Sequence, residues 1–135
     1  MQEVPLAPHR LPIKVYLEDT DAQGIVYHGS YVRFLERGRT EAMEALWRDG
    51  GEPPRLVVHE LRLKYRKPAR LGDRLEVIST ARLATPYRVT FSQRLERPGE
   101  PGHLCEGTVD VACTDATGRL VRMPDALVAL LATSS

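Results

Sequence analysis

Strong global signals are few in this chain. Formal net charge is only +1 over 135 residues, so no long-range field favours nucleic acid, and none is expected as a partner. Lysine stands only at 14, 64 and 67. The other cations are arginines spread along the whole chain, a compositional bias more than a site. No signal-like apolar N-terminus and no bilayer-length apolar run is present; the expectation is a cytoplasmic protein without a transmembrane segment. Cysteine occurs only at 105 and 113. Eight residues apart in a predicted strand, these two thiols lie about 26 Å from each other, which excludes a disulfide between them. Both fall on the strand's apolar face and are expected to be buried. No Cys/His cluster has zinc-ligand spacing, and no repeat, low-complexity tract or linker divides the chain.

What is present suits one small soluble domain. The length favours a single core. Residues 1–12 hold three prolines and no periodicity, so a loose arm is expected there and one domain over 13–135. Ile13 to Leu17 is β-prone. From Ser30 to Arg48 the period turns helical, with Tyr31, Phe34, Leu35, Gly38, Ala42, Ala45 and Leu46 on one stripe and Arg33, Arg37, Glu41, Glu44 and Arg48 off it. Ser30 is the expected N-cap, and Gly50-Gly51-Glu52-Pro53-Pro54 the stop. Gly38 costs a helix interior about 1 kcal/mol relative to alanine, so a close approach to a sheet is expected there. Alternating runs follow at Val57–Arg66, Leu75–Leu83, Tyr87–Leu95 and Cys105–Cys113, then a short strand Arg119–Arg122 and a terminal helix through Ala132. One strand, one long helix and about five antiparallel strands predict an α+β domain with the helix on one sheet face.

The most informative segment is Asp19-Thr20-Asp21-Ala22-Gln23-Gly24-Ile25-Val26-Tyr27-His28-Gly29-Ser30-Tyr31. It places two carboxylates on a glycine-bearing loop just ahead of a helix N-terminus. A carboxylate can serve as base or nucleophile, and helix amides can stabilise an oxyanion. Together they suit attack on an acyl carbonyl.

Three features in order carry a family resemblance: this motif, the helix Tyr31-Val32-Arg33-Phe34-Leu35-Glu36-Arg37-Gly38-Arg39-Thr40-Glu41, and Tyr65-Arg66-Lys67-Pro68-Ala69-Arg70-Leu71-Gly72-Asp73. Over roughly residues 12 to 132 the chain resembles hotdog-fold acyl-CoA thioesterases of the 4-hydroxybenzoyl-CoA thioesterase type. Within that type it is most similar to the subgroup encoded beside bacterial Tol-Pal genes. The resemblance implies an antiparallel β-sheet wrapped around one long central helix. It implies a homodimer, a homotetramer built as a dimer of dimers, and active sites at the dimer interface. The implied reaction hydrolyses short-chain or aromatic acyl-CoA, with no cofactor and no metal. The alternative is a non-catalytic acyl-CoA-binding or interaction protein on the same scaffold. A hydratase reading lacks the His-Asp or His-Glu arrangement it needs.

The resemblance also distributes roles. Asp21 matches the catalytic aspartate, with base and nucleophile both open; on spacing alone it is equally an Asx-turn residue. Asp19 is expected to order the loop. His28 matches the residue whose backbone N–H meets the thioester oxygen, and its imidazole remains a second option. Gly24 supplies a positive-φ turn. Tyr27 is expected to line the acyl pocket, and Tyr31 to pack in the core. Gln23 and Gly29-Ser30 depart from the usual residues beside the substrate, so specificity is expected there. Arg88 falls near the nucleotide-contacting segment, with Arg82, Arg66 and Lys67 as weaker candidates. Glu36 and Glu41 are rival carboxylates on the helix, Glu41 being expected to pair with Arg37. His59 is expected in the sheet core or an interface, while His9 and His103 support nothing.

Overall fold

A computed structural model describes residues 8–47 and 53–132. Five strands form one sheet in the order β1-β3-β4-β5-β2, every neighbouring pair antiparallel. They are β1 (His9–Lys14), β2 (Arg55–Tyr65), β3 (Arg74–Thr85), β4 (Arg88–Glu96) and β5 (Cys105–Thr114). Consecutive strands β1 and β2 occupy opposite edges. The helix joining them, α1 (His28–Leu46), therefore crosses the sheet, and a short helix α2 (Asp125–Ala132) follows β5. This is the α+β hotdog arrangement, a sheet wrapped around a central helix.

The α1 stripe does what its spacing predicts. Tyr31, Phe34, Leu35, Gly38 and Ala42 are buried, and full burial of Phe34 and Leu35 contributes about 1.5–3 kcal/mol each. Gly38 lies where a Cβ would stand 2.4 Å from Val77 Cγ1, so its missing side chain is what lets the helix settle on β3 and β4. Two apolar clusters result. One, at the motif end, joins Val26, Tyr31 and Phe34 to Val77, Leu95, Leu104 and Cys105. The other joins Met43 and Phe91 to Val109, Val111 and the α2 residues Leu127 and Leu131. Cys105 and Cys113 are buried free thiols.

Several expectations need correction. Residues 9–12 of the supposed arm belong to β1, where His9, Leu11 and Ile13 alternate half-buried with exposed neighbours. Proline is tolerated because β1 is an edge strand. Residues 1–7 lie outside the described residues. The strand ends at Lys14, and Leu17–Asp19 forms a 3-10 turn. Helix α1 starts at His28, so Ser30 is not the cap but a buried residue inside the first turn. Ala45 is exposed. Arg48 and the expected stop at 50–52 lie outside the described residues. The pairing of β2 slips between Val58 and Glu60, which leaves His59 as an unpaired, exposed bulge residue rather than a core one. Arg119–Arg122 forms no strand, only a single bridge from Leu120 to Thr114. Among the described residues no ion pair joins Arg37 to Glu41, and both are exposed. The same residues contain no helix long and apolar enough to cross a membrane.

Candidate active site

The motif folds into a small hairpin that delivers the chain to α1. Thr20 bridges Val26, and the Asp21 N–H donates to the Ile25 carbonyl at 2.9 Å. Gly24 sits at the tip with φ +76°, a conformation that disfavours any side chain. The segment after β2 backs this hairpin. Ile25 bridges Arg70, Val26 N–H donates to Ala69 O at 2.9 Å, and Leu71 N–H donates to Gly24 O at 3.0 Å. The first and third resemblance features are thus two halves of one structure.

Its two carboxylates do different work. Asp19 is 4% exposed. Its Oδ2 accepts the Tyr16 N–H at 2.9 Å, and its carbonyl accepts the Tyr27 N–H at 3.0 Å, so it orders the loop. Asp21 is exposed. Its Oδ1 accepts the N–H groups of Gln23 at 2.8 Å and Ile25 at 3.3 Å. Among the described residues Oδ2 has no hydrogen-bond partner. Asp21 is thus an Asx-turn residue, with one oxygen oriented by the backbone and the other turned to solvent.

Helix α1 begins at the end of this hairpin with Tyr27 as N-cap, and no side chain caps it. Ser30 N–H turns back to the Tyr27 carbonyl at 2.8 Å. Within the described residues the N–H groups of His28 and Gly29 meet no acceptor, so the positive end of the helix dipole faces outward next to the Asp21 loop. The rings of Tyr27 and His28 stack with centroids 4.2 Å apart, and both residues are exposed. A Cβ on Gly29 would meet the Tyr27 ring at 2.9 Å, so glycine there makes room for that ring.

Sequence reasoning passed over Tyr65 as more than a strand residue. Its hydroxyl donates to the His28 carbonyl at 3.0 Å. Tyr31 lies edge-on to it, centroids 5.2 Å apart at 72°, and the Tyr31 hydroxyl accepts the Ala69 N–H at 3.0 Å. Burial pushes the Tyr31 phenol above its ordinary value. Burial, with the nearby Cys105, does the same for Tyr65. Both stay protonated at neutral pH.

Within one chain, the structure gathers Asp19, Asp21, Gly24, Tyr27, His28, Gly29 and Tyr65 at one end of the sheet. It does not bring Arg82 or Arg88 there. Arg82 faces Thr90, and Arg88 pairs with Thr85 and Ala112, toward the far end of β3 and β4. Arg82 is about 26 Å along β3 from Arg74, the residue nearest the motif. Both arginines are exposed. Glu36 is exposed on α1 and borders a groove of about 500 Å³ with Arg39, Met43, Trp47 and Leu56. Buried Arg39, unmarked by the helical pattern, donates to Gln93 Oε1 at 3.1 Å.

An antiparallel sheet around a central helix is the architecture of hotdog-fold proteins, and here a loop aspartate stands beside an uncapped helix start. Comparison with known proteins agrees. A family profile described as the thioesterase-like superfamily matches residues 15–131. An acyl-CoA thioester hydrolase, YbgC of Escherichia coli O6:H1, is 38% identical over 128 residues, covering 89% of this chain and 92% of that protein. The acyl-CoA thioesterase YbgC of Haemophilus influenzae is 39% identical over 77% of this chain and 79% of its own length. The solved structure of the hypothetical protein TT1821 from Thermus thermophilus superposes with a TM-score of 0.81 at 29% identity, covering 95% of this chain and 98% of that one. This chain belongs to the thioesterase-like superfamily, and it is a hydrolase.

Proposed function

We propose that the chain hydrolyses short-chain or aromatic acyl-CoA thioesters to the free acid and coenzyme A. The observation that carries this reading is the exposed Asp21 carboxylate, fixed through Oδ1 by two backbone amides, next to the uncapped start of α1. In this reading the thioester oxygen accepts the His28 N–H, where the helix dipole stabilises the developing negative charge. Asp21 then acts in one of two ways. It takes a proton from an attacking water, or it adds to the carbonyl carbon and gives an anhydride that water opens. Either route consumes one water and releases the thiol. In this reading the His28 imidazole, exposed beside Tyr27, is a second option for assistance, and Tyr27 and Gly29 flank the acyl group. No cofactor or metal enters this scheme.

The working unit in this reading is a homodimer, assembled further into a dimer of dimers. The support is the separation of Arg82 and Arg88 from Asp21 within one chain. Edge strand β2 carries unpaired backbone groups along eleven residues. If two such edges pair antiparallel about Leu61, Val57 of one copy meets the partner's Tyr65. Arg88 shares a sheet row with Ala112 and Val57. It then lies three strand spacings, about 14 Å, from the partner's motif end. An extended pantetheine arm spans such a gap, and a guanidinium there suits the nucleotide phosphates. The buried free thiols Cys105 and Cys113 fit a cytoplasmic location.

The test is thiol release by the purified protein from a panel of straight-chain and aromatic acyl-CoAs. Turnover of short or aromatic members is the expected result. Tight binding without turnover across the panel points to the binding-protein alternative.

A further inference from the structure

The Tyr65 hydroxyl donates to the His28 carbonyl at 3.0 Å, across from strand β2 to the first residue of α1. Tyr65 is 47% exposed, so core packing does not account for it. It is the last residue of β2, held in register opposite Cys105 and against the edge of Tyr31. Tyr31 is in turn tied to the Ala69 amide, in the segment that backs the motif hairpin. The phenol is thus held from two sides, and its proton points at one atom, the carbonyl oxygen of the first residue of α1.

That carbonyl belongs to the peptide whose other end is the Gly29 N–H. Carbonyl and N–H of one peptide share the resonance that makes the bond planar. A donor on the oxygen draws electron density from the nitrogen and makes the N–H a stronger donor, the same cooperativity that strengthens hydrogen-bond chains. Gly29 N–H is a first-turn amide, which no intrahelical acceptor can satisfy, and no acceptor for it exists among the described residues. It is adjacent to the His28 N–H, which the proposed reaction uses.

We propose that Tyr65 is a positioning residue that polarises the His28–Gly29 peptide through its hydroxyl, making the Gly29 N–H a second donor to the thioester oxygen. This rests on the thioesterase reading. The oxyanion site then has two backbone donors from consecutive peptides, and only the second is tuned by a side chain from another element. The raised phenol value keeps the donor protonated through neutral and mildly alkaline pH.

The experiment compares wild type with Tyr65→Phe. Removing a whole oxyanion donor costs about 10²–10³ in kcat. Weakening one by removing its polariser is expected to cost about tenfold, with KM changed less than about twofold; tenfold corresponds to about 1.4 kcal/mol. The decisive readout is the infrared carbonyl stretch of benzoyl-CoA bound to Asp21→Asn protein, which hydrolyses too slowly to interfere. In that background Tyr65→Phe should move the stretch back toward its value in free benzoyl-CoA. A ring that merely packs would not change it. If Tyr65→Phe does not fold, a trifluorotyrosine at 65, whose phenol ionises near neutral pH, replaces it. That protein should keep kcat at low pH and lose it as the phenol ionises, while wild type shows no such loss.

Unchanged kcat together with an unchanged carbonyl stretch overturns the proposal. So does a trifluorotyrosine protein with the wild-type pH profile. Either result leaves the thioesterase reading standing wherever Asp21→Asn abolishes turnover. A wild-type protein that binds acyl-CoAs across the panel, benzoyl-CoA included, without hydrolysing any removes that reading, yet the carbonyl shift still decides the role of Tyr65. A protein that neither binds nor hydrolyses any member of the panel overturns both.

Discussion

Replacing Gly38 with alanine sets two physical effects against each other, and the structure determines which prevails. Helix propensity alone predicts stabilisation by about 1 kcal/mol, because glycine is costly in a helix interior. The new methyl, however, would stand 2.4 Å from Val77 Cγ1 and 3.2 Å from both Gln93 Nε2 and Ser79 Oγ. Val77 is fully buried and β-branched, so it has little freedom to withdraw. Overpacking of this kind costs about 1–3 kcal/mol. Gln93 Nε2 also donates to Leu35 O at 2.8 Å and Ser79 Oγ at 2.9 Å, and displacing either bond costs a further ~1 kcal/mol. The net expectation is destabilisation by about 1–3 kcal/mol. For a domain of this size that lowers Tm by ~3–4 °C per kcal/mol. Urea and thermal unfolding of Gly38→Ala beside wild type give the answer. A variant as stable as wild type, or more so, refutes the close-approach argument and leaves propensity as the dominant effect.

Other consequences are as direct. Burial raises the Asp73 carboxyl, but bonds from the Arg97 side chain at 2.7 Å and the Arg70 amide at 2.8 Å outweigh it and hold the group below its ordinary 3.8. A depressed carboxyl stabilises the fold above its unfolded value and loses that contribution as pH falls through its folded one. Asp73→Asn should therefore be less stable than wild type by about 1 kcal/mol at pH 7, with the gap closing below about pH 4, as urea midpoints from pH 7 to 2 will show. Burial, helped by the Glu106 charge, pushes the Cys105 thiol up to about 12, and burial also raises Cys113. Neither thiol should react with Ellman's reagent in the native protein at pH 8, and both should react in guanidinium. Arg88→Ala should raise KM for acyl-CoA about tenfold, with kcat little changed and a weaker salt dependence of kcat/KM. Equal parameters for the two proteins would remove Arg88 from substrate binding.

The parts of the fold that the sequence revealed are those where one face is simply buried. The α1 stripe and the alternation in β3, β4 and β5 were readable because each such residue answers only to the apolar side it faces. Legibility ended where backbone geometry intervened. Pro12 disguised β1, since an edge position makes its missing N–H harmless. The bulge at His59 reversed the alternation halfway along β2. Ser30 looked like a cap because it is a good capping residue at the right spacing, but the hairpin hands the chain to the helix two residues earlier, at His28. The candidate site divides in the same way. Asp19's place ahead of the turn suggested a loop organiser, which its bonds to Tyr16 and Tyr27 bear out, whereas only the family resemblance singled out Asp21, whose spacing suits an Asx-turn equally well. Tyr65 and Arg39 act through partners 37 and 54 residues away, and no local pattern encodes such pairings. The distance of Arg82 and Arg88 from Asp21 was equally hidden, because strand order, not sequence spacing, decides which ends of a sheet adjoin.

The central claim is that the Asp21 carboxylate performs the chemistry. Asp21→Asn keeps an acceptor for the Gln23 and Ile25 amides, so the loop should retain its shape. Thiol release from the best acyl-CoA substrate, measured under saturation for wild type and Asp21→Asn of equal Tm, tests the claim most directly. If Asp21 performs the chemistry, kcat falls by about 10²–10⁴, with acyl-CoA binding retained. A kcat within threefold of wild type would contradict it.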